Sequence, residues 1–164
     1  MSAVRLRDAG TEDHPRIVAI NAAEVAQTSS LDEARLSFLS RLACYHKVAV
    51  VEGEVAAFVL AMRSGAPYEN DNFAWFARRF DDFLYVDRIV VAAAFGGRGI
   101  GRRMYTDLFD YARSNRIARI TCEYNLVPPN PASAAFHARF GFRECGTQWL
   151  AGGAKQVSLQ AADA

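Results

Sequence analysis

Three glycines at alternate positions, Gly97, Gly99 and Gly101, separate a strand-like segment from a helix-like segment. Glycine lets the backbone turn sharply and approach a ligand without interference from a Cβ atom. The helix that follows would direct its unpaired N–H groups and the positive end of its dipole at the same point. Because this combination favours phosphate groups, the loop predicts a binding site for a phosphorylated cofactor.

Two common nucleotide-binding loops have a different spacing. The dinucleotide fingerprint G-x-G-x-x-G would need a third glycine where Arg102 stands. Glu123 does lie about twenty residues beyond the loop, where that fold has a ribose-binding acid. However, the loop lies past the middle of the chain, which leaves little length for a doubly wound sheet. A Walker loop would end in Lys followed by Ser or Thr, which this loop lacks. The glycine spacing therefore argues against a dinucleotide-dependent oxidoreductase.

The composition limits the classes of partner and compartment. The chain has 164 residues, a length typical of one domain (here 1–164), and its formal net charge is +1. This charge gives no electrostatic reason to bind nucleic acid, and no apolar run approaches the length of a membrane span. The first residues lack the apolar core of a signal peptide, and the three cysteines show no C-x-x-C spacing. We expect a cytoplasmic protein without a metal, a nucleic-acid partner or a membrane partner.

The elements that position the glycine loop alternate between strands and helices. Turn residues and alternating apolar residues predict strands at 4–7, 47–51, 55–62, 84–91, 117–124, 143–150 and 156–159. Helices are predicted at 31–43, 100–114 and 132–140, and after a cap at Thr11 with Ile17, Ile20, Ala23 and Ala26 on the core side. The aromatic insert 64–83 is expected to be partly helical. This alternation is typical of an α/β fold.

Two motifs resemble those of the GCN5-related N-acetyltransferase (GNAT) superfamily. The strand Ile89-Val90-Val91 is followed by Gly99-Ile100-Gly101, which matches the end of the family's Q/R-x-x-G-x-G/A loop. The downstream motif N-x-x-[AS]-x-x-[FL]-Y-x-x-x-G-[FY] is matched by Asn130, Ser133, Phe136, Gly141 and Phe142, with His137 in place of the tyrosine. The resemblance implies a mixed sheet of about seven strands, splayed after strand 4 and flanked by helices.

The resemblance also implies that the cofactor is acetyl-CoA. The pantetheine arm would lie along the strand and the pyrophosphate at the loop. The family's Gln or Arg at the start of the loop is Gly96 here, so nearby arginines would have to supply positive charge. The implied cofactor-binding residues are Ile89, Val90, Val91, Gly96, Gly97, Arg98, Gly99, Ile100, Gly101, Arg102, Arg103, Asn130, Ser133 and Phe136.

Acetyl transfer to an amine needs a neutral nucleophile, a polarised thioester carbonyl and a proton for the leaving sulfur. His137 is the candidate acid. It stands at the position where many family members have a tyrosine that protonates the leaving thiolate, and an imidazole titrates near working pH. The candidate bases are Asp87 and Glu123. Of these, Glu123 resembles the glutamate of ribosomal-protein alanine acetyltransferases. The structural alternative for His137 is packing. For Glu123 it is a surface strand carboxylate or a salt bridge with Arg119, and for Asp87 it is pairing with Arg88 or another basic group.

The resemblance implies direct transfer, in a ternary complex, to a primary amine of a small molecule or peptide. The implied acceptor contacts are Asn21, Glu24, Trp75, Tyr85, Tyr124 and Asn125. The acidic side chains of Glu24 and Asp87 would suit a cationic amine. The alternative function is a catalytically silent acyl-CoA-binding regulatory module of the same fold, which the loss of the tyrosine admits. The resemblance also implies a possible homodimer, joined through the edges of the sheets.

Overall fold

The computed structural model describes residues 2–24 and 28–164. Seven strands form a mixed sheet in the order β1-β2-β3-β4-β5-β7-β6, which confirms the predicted α/β class and strand count. The strands are Val4–Asp8 (β1), Tyr45–Val51 (β2), Glu54–Arg63 (β3), Leu84–Val91 (β4), Arg119–Val127 (β5), Arg143–Leu150 (β6) and Lys155–Asp163 (β7). The helices are His14–Ala23 (α1), Glu33–Leu42 (α2), Asp71–Ala77 (α3), Ile100–Ser114 (α4) and Pro131–Ala138 (α5).

The bounds of β4, β6 and α4 are those that the sequence predicts. The predicted helix cap at Thr11 is wrong, because Thr11–Asp13 forms a short 3-10 turn and α1 begins at His14. The Asp13 carboxylate stabilises this turn by accepting from the backbone N–H of Gly10 at 2.8 Å. Ala26, predicted on the core side of the first helix, lies outside the described residues.

The described chain falls into two compact units, and a single domain stays a prediction. The first unit contains residues 2–24, 28–62 and 86–111. In it, β2 pairs in antiparallel register with both β1 and β3. Its core consists of buried apolar side chains from β2, β3 and the helices: Ile17, Leu36, Leu39, Val48, Phe58, Leu60, Ile100, Met104 and Leu108. None of the helices in the described part of the chain is long and apolar enough to span a membrane.

His46 in β2 lies in an environment that is unfavourable for a positive charge. Its Nδ1 atom is 3.2 Å from the Ser40 hydroxyl oxygen, and its ring centroid is 6.4 Å from that of His14. Burial, followed by the charge of His14, lowers the pKa of His46 to about 4, although Asp13 and Asp8 act in the opposite direction.

We expect the free energy of unfolding to decrease as the pH is lowered from about 6.5 to about 4. In this window the unfolded chain binds a proton at His46 and the folded chain does not, so stability is present above the unfolded pKa and is lost towards the folded pKa. The shift corresponds to on the order of 3 kcal/mol. Urea denaturation of the native chain and of His46→Gln across this window measures the effect. Equal pH slopes for the two proteins would contradict it.

The second unit contains residues 63–85 and 112–164. In it, β7 lies between β5 and β6 and pairs with both in antiparallel register. The parallel register of β4 with β5 pairs Leu84 with Ile120 and Tyr85 with Thr121. Strand β7 is longer than predicted, because residues 160–162 pair with β5 despite their weak strand propensity. The splay of the sheet after strand 4 stays a prediction.

The aromatic insert is partly helical, as predicted. The Asn70 side-chain oxygen caps α3 by accepting from the backbone N–H groups of Asn72 and Phe73, both at 3.0 Å. Phe73 packs edge-to-face on Tyr85 with ring centroids 5.6 Å apart. Edge-to-face ring contacts stabilise a core beyond the area that they bury. The insert therefore supplies the aromatic core of the second unit.

Trp75, a predicted acceptor contact, is 7% exposed and is held between two neighbours in the same unit. The Arg79 guanidinium lies 3.6 Å from the centroid of the indole ring. A Cβ atom at Gly146 would lie 2.5 Å from that ring, so only glycine leaves room for it. These contacts give Trp75 a packing function, and its contact with an acceptor stays a prediction.

Candidate active site

The glycine loop of the first unit has a backbone suited to binding an anion. Gly97 and Gly99 have φ of +73° and +71°, in the region that favours glycine, and the space where their Cβ atoms would lie is open. The Gly99 carbonyl accepts from the Arg103 N–H at 3.0 Å as α4 begins. The N–H groups of the first turn have no partner within the helix, and this 15-residue helix directs its positive dipole end at the loop. The loop can therefore hold a phosphate group.

Exposed arginines supply the positive charge that the start of the loop lacks: Arg98, Arg102 and Arg103. The Arg98 guanidinium lies 5.3 Å from the centroid of the Phe95 ring, within cation–π range. Gly96 has φ of −62°, which any residue adopts. A Cβ atom there would lie 3.3 Å from the Ala93 carbonyl oxygen, so glycine relieves a tight contact. In β4, which leads into this loop, Val90 is buried and its neighbours Ile89 and Val91 are half-buried.

Asp87 and Arg88 form an ion pair in the first unit, with Arg88 Nε 2.7 Å from Asp87 Oδ2. The Arg88 and Asp87 side chains are 5% and 3% exposed. The same guanidinium donates to the Ser29 carbonyl at 3.0 Å, to the Ser29 hydroxyl at 2.9 Å and to Asn21 Oδ1 at 3.1 Å. The pairing with Arg88, which was the structural alternative for Asp87, is therefore present. It ties Ser29 to β4.

Asn21 and Glu24, both predicted to contact an acceptor, lie at the end of α1. The Asn21 side chain is fully buried; its amide nitrogen donates to the Ser29 carbonyl at 3.0 Å, and its oxygen accepts from Thr28 and Arg88. Glu24 is half-buried, and its carbonyl accepts from the Thr28 N–H at 3.2 Å. Asn21 thus supports Arg88, and acceptor binding by either residue stays a prediction.

Glu123 on β5 of the second unit is held by two donors. The fully buried Tyr85 donates its hydroxyl proton to the carboxylate, with a distance of 3.1 Å to Oε2, and also contacts Oε1. The amide nitrogen of Asn72 donates to Oε1 at 2.9 Å. An ionised carboxylate only accepts hydrogen bonds, so both donors face the form that can take up a proton. Tyr85, predicted as an acceptor contact, is here a partner of the candidate base.

Asn72 and Gln148 extend this network, and the sequence analysis did not predict either. Gln148 Nε2 donates to Asn72 Oδ1 at 3.0 Å, which turns the amide nitrogen of Asn72 towards Glu123. Asn72 is 6% exposed. An asparagine among the aromatic residues of the insert was an available signal, because a buried amide requires partners. The pairing with Gln148 has no sequence signal, since 76 positions separate the two residues.

His137 in α5 is buried beside the rings of Tyr124 and Phe142. Its Nδ1 atom lies 2.8 Å from the Ser133 carbonyl oxygen. Because a carbonyl only accepts, Nδ1 carries the ring proton. Burial lowers the pKa of His137, and its hydrogen bond to the Ser133 backbone opposes this only in part. A neutral imidazole is a poor source of the proton that a leaving sulfur needs, so the geometry favours the packing alternative over the acid.

The remaining residues of the downstream motif lie at the start and on one side of α5. Asn130 caps the helix, its Oδ1 atom accepting from the Ser133 N–H at 3.3 Å. Phe136 is half-buried and packs edge-to-face on His137 with centroids 5.2 Å apart. Capping and packing account for these residues, and their binding of a cofactor stays a prediction.

Tyr124 and Asn125 follow Glu123 on β5. Tyr124 is half-buried, and its hydroxyl oxygen accepts from Gln160 Nε2 at 3.1 Å. Asn125 is buried, and its carbonyl accepts from the Asn130 N–H at 3.1 Å. Because successive side chains of a strand point to opposite faces, Glu123 and Tyr124 lie on opposite faces of β5. Across residues 2–24 and 28–164, no cluster of three or more His, Cys, Asp or Glu side chains could hold a metal ion.

Comparison with known proteins identifies the family. The acetyltransferase (GNAT) family matches residues 7–142, most of the chain. The chain therefore belongs to this family, as the two sequence motifs predict. Family membership supports the predicted acyltransferase class and acetyl-CoA as its cofactor.

A curated relative and two solved structures are similar to this chain. Phosphinothricin N-acetyltransferase of Streptomyces coelicolor is 46% identical over 59 residues, and the match covers 36% of this chain and 33% of that protein. Ard1 from Thermoplasma volcanium has a TM-score of 0.81 at 14% identity, covering 98% of this chain and 97% of that one. The yncA protein from Salmonella typhimurium, solved with its cofactor acetyl-CoA, has a TM-score of 0.73 at 20% identity, covering 99% and 94%. The two structural likenesses support the fold.

Proposed function

We propose that this chain is an N-acetyltransferase that moves the acetyl group of acetyl-CoA directly to a primary amine. The observation that carries the proposal is the Glu123 carboxylate, held by Tyr85 and Asn72 in the form that accepts a proton. An amine is mostly protonated near neutral pH and attacks only after it has lost a proton. Glu123 removes that proton, directly or through a water molecule, and direct attack in a ternary complex requires no acyl-enzyme.

The glycine loop fits acetyl-CoA, because its open glycine positions let a pyrophosphate reach the backbone N–H groups. Residues 97–101 would hold the pyrophosphate through these groups, and Arg98, Arg102 and Arg103 would neutralise its charge. When bound, acetyl-CoA supplies an acetyl group activated as a thioester. Asp87 is committed to Arg88 in a buried pair, so Glu123 is the base in this proposal.

The acceptor is a primary amine of a small molecule or a peptide. The name of the Streptomyces relative makes phosphinothricin one specific candidate. The alternative candidate, a silent acyl-CoA-binding module, follows from the histidine at position 137, whose lowered pKa makes it a poor acid. A cytoplasmic location, a homodimer, and the lack of nucleic-acid and membrane partners stay predictions from the sequence.

Two measurements test this function in order. In calorimetric titrations of the full chain, acetyl-CoA is expected to bind and NAD is not. Thiol release from acetyl-CoA is then followed with phosphinothricin, small primary amines and peptides with free amino termini. Release that requires one of these amines supports the enzyme. Binding of acetyl-CoA without release for any amine would favour the silent module, and binding of NAD alone would overturn both.

A further inference from the structure

Four polar side chains form a hydrogen-bonded chain on one face of the second unit, from β6 across β7 to β5: Glu144, Ser158, Gln160 and Tyr124. The Ser158 hydroxyl lies 2.5 Å from Glu144 Oε2, and Gln160 Nε2 lies 2.7 Å from the Ser158 oxygen and 3.1 Å from the Tyr124 oxygen. We call these residues the Tyr124 chain. Ser158 is fully buried and Gln160 is 3% exposed, so the middle of the chain is shielded from water.

The donors in the Tyr124 chain point outwards from Gln160, towards Ser158 and Glu144 on one side and towards Tyr124 on the other. A carboxylate only accepts, so Ser158 donates its single proton to Glu144 and must accept from Gln160. The group of Gln160 that faces Ser158 is therefore the amide nitrogen, which carries two protons. The second proton goes to the Tyr124 oxygen. The Tyr124 oxygen thus accepts a hydrogen bond from Gln160. Its own hydroxyl proton is therefore not used within the Tyr124 chain.

Tyr124 lies beside His137, the acid predicted from the sequence. Its ring lies on the face of β5 opposite to the Glu123 carboxylate, because the two residues are consecutive in the strand. Its ring centroid is 6.0 Å from that of His137. His137 itself is a poor donor, because its Nδ1 proton is given to the Ser133 carbonyl and burial lowers its pKa. Tyr124 is half-buried, so part of the residue is exposed to solvent.

We propose that Tyr124 is the general acid of the acetyl transfer, with Gln160, Ser158 and Glu144 as the positioning residues that orient its hydroxyl. This inference rests on the proposed function. It deepens that function by separating the two proton-transfer groups, with Glu123 as the base on one face of β5 and Tyr124 as the acid on the other. A phenol hydroxyl both accepts and donates, so Tyr124 can accept from Gln160 and give its own proton to the sulfur.

The protons and electrons of the transfer balance with these two residues. Glu123 takes one proton from the ammonium form of the acceptor, and the nitrogen lone pair freed in this way forms the new bond to the acetyl carbon. The second proton that the nitrogen loses in becoming an amide goes to solvent. The bond between that carbon and sulfur breaks, and its electron pair stays on sulfur. Tyr124 gives its proton to this sulfur, so the products are an amide and free CoA thiol. Glu123 then releases its proton to solvent and Tyr124 regains one from solvent.

The test compares kcat and acetyl-CoA affinity in five proteins, which are the native chain and its variants Tyr124→Phe, Gln160→Met, Tyr111→Phe and His137→Phe. Tyr124→Phe removes the proton and keeps the ring, and we expect kcat to fall by about 100-fold or more while the calorimetric Kd for acetyl-CoA is unchanged. Gln160→Met keeps Tyr124 but removes its orienting donor, so a smaller fall of about 10-fold is expected. Tyr111→Phe is the matched control, since the Tyr111 hydroxyl donates to the Cys44 carbonyl in the first unit, and its kcat should equal that of the native chain.

Three results would overturn the proposal. One is a Tyr124→Phe protein that keeps kcat within about threefold of the native value. Another is a Tyr124→Phe protein that loses acetyl-CoA affinity in proportion to turnover, which would make the tyrosine a binding residue. The third is loss of turnover in His137→Phe with retention in Tyr124→Phe, which would assign the acid to His137. If the native chain acetylates no amine, the proposed function fails and this inference fails with it. If the native chain is active and Tyr124→Phe is equally active, only this inference fails.

Discussion

Replacement of Glu123 by glutamine is expected to lower kcat for acetyl transfer by about 100-fold or more, within the range measured for general acid–base groups. Glutamine keeps the shape of the side chain and an oxygen that can accept from Tyr85 and Asn72, so the fold should be preserved. What it cannot do is take up the proton of an ammonium acceptor. The loss should therefore be in turnover, with little change in the Kd for acetyl-CoA.

The pH dependence of this variant separates a base from a structural residue. When the pH is raised towards the pKa of the acceptor amine, more of the amine is already neutral, so the Glu123→Gln protein should regain part of its rate relative to the native chain. Glu69→Gln is the matched control, because this exposed glutamate precedes α3 in the same unit. A Glu123→Gln protein with native kcat at neutral pH would remove Glu123 from the mechanism. A deficit that persists unchanged at high pH would assign it a structural role.

Replacement of Arg88 by methionine is expected to lower the free energy of unfolding by about 3–5 kcal/mol, the cost of removing one member of a buried ion pair. The Arg88 and Asp87 side chains are 5% and 3% exposed, so water cannot replace the lost guanidinium. The substitution also removes the donors to Ser29 and Asn21. Urea denaturation, followed by circular dichroism, measures the change.

A second variant distinguishes the loss of the ion pair from a simple loss of packing. The double substitution Asp87→Leu with Arg88→Met removes both charges, and apolar replacement of a buried pair is often neutral or stabilising. We therefore expect the double variant to be more stable than Arg88→Met alone. A double variant as unstable as the single one would show that Asp87 is not the source of the loss. An Arg88→Met protein within about 1 kcal/mol of the native chain would contradict the prediction itself.

The sequence predicts much of the fold because local chemistry determines many of its elements. The bounds of α4 follow from an amphipathic stripe that begins at the glycine loop. In contrast, the start of α1 differs from the prediction, because a tertiary contact decides it: the Asp13 carboxylate accepts from Arg7 of β1 and holds a 3-10 turn before the helix. The extension of β7 likewise depends on pairing with β5, which no property of residues 160–162 indicates.

The candidate site divides in the same way. By itself the sequence determined the family and the position of the glycine loop, because spacing and residue type are local properties. It also predicted Glu123 as a candidate base and Tyr124 as an acceptor contact. Only the tertiary structure decided their chemistry. Tyr85 and Asn72 donate hydrogen bonds to the Glu123 carboxylate, Asp87 pairs with the buried Arg88, and burial lowers the pKa of His137. The physical reason is that protonation and donor direction depend on partners and on exposure to water, and these come from segments far apart in the chain.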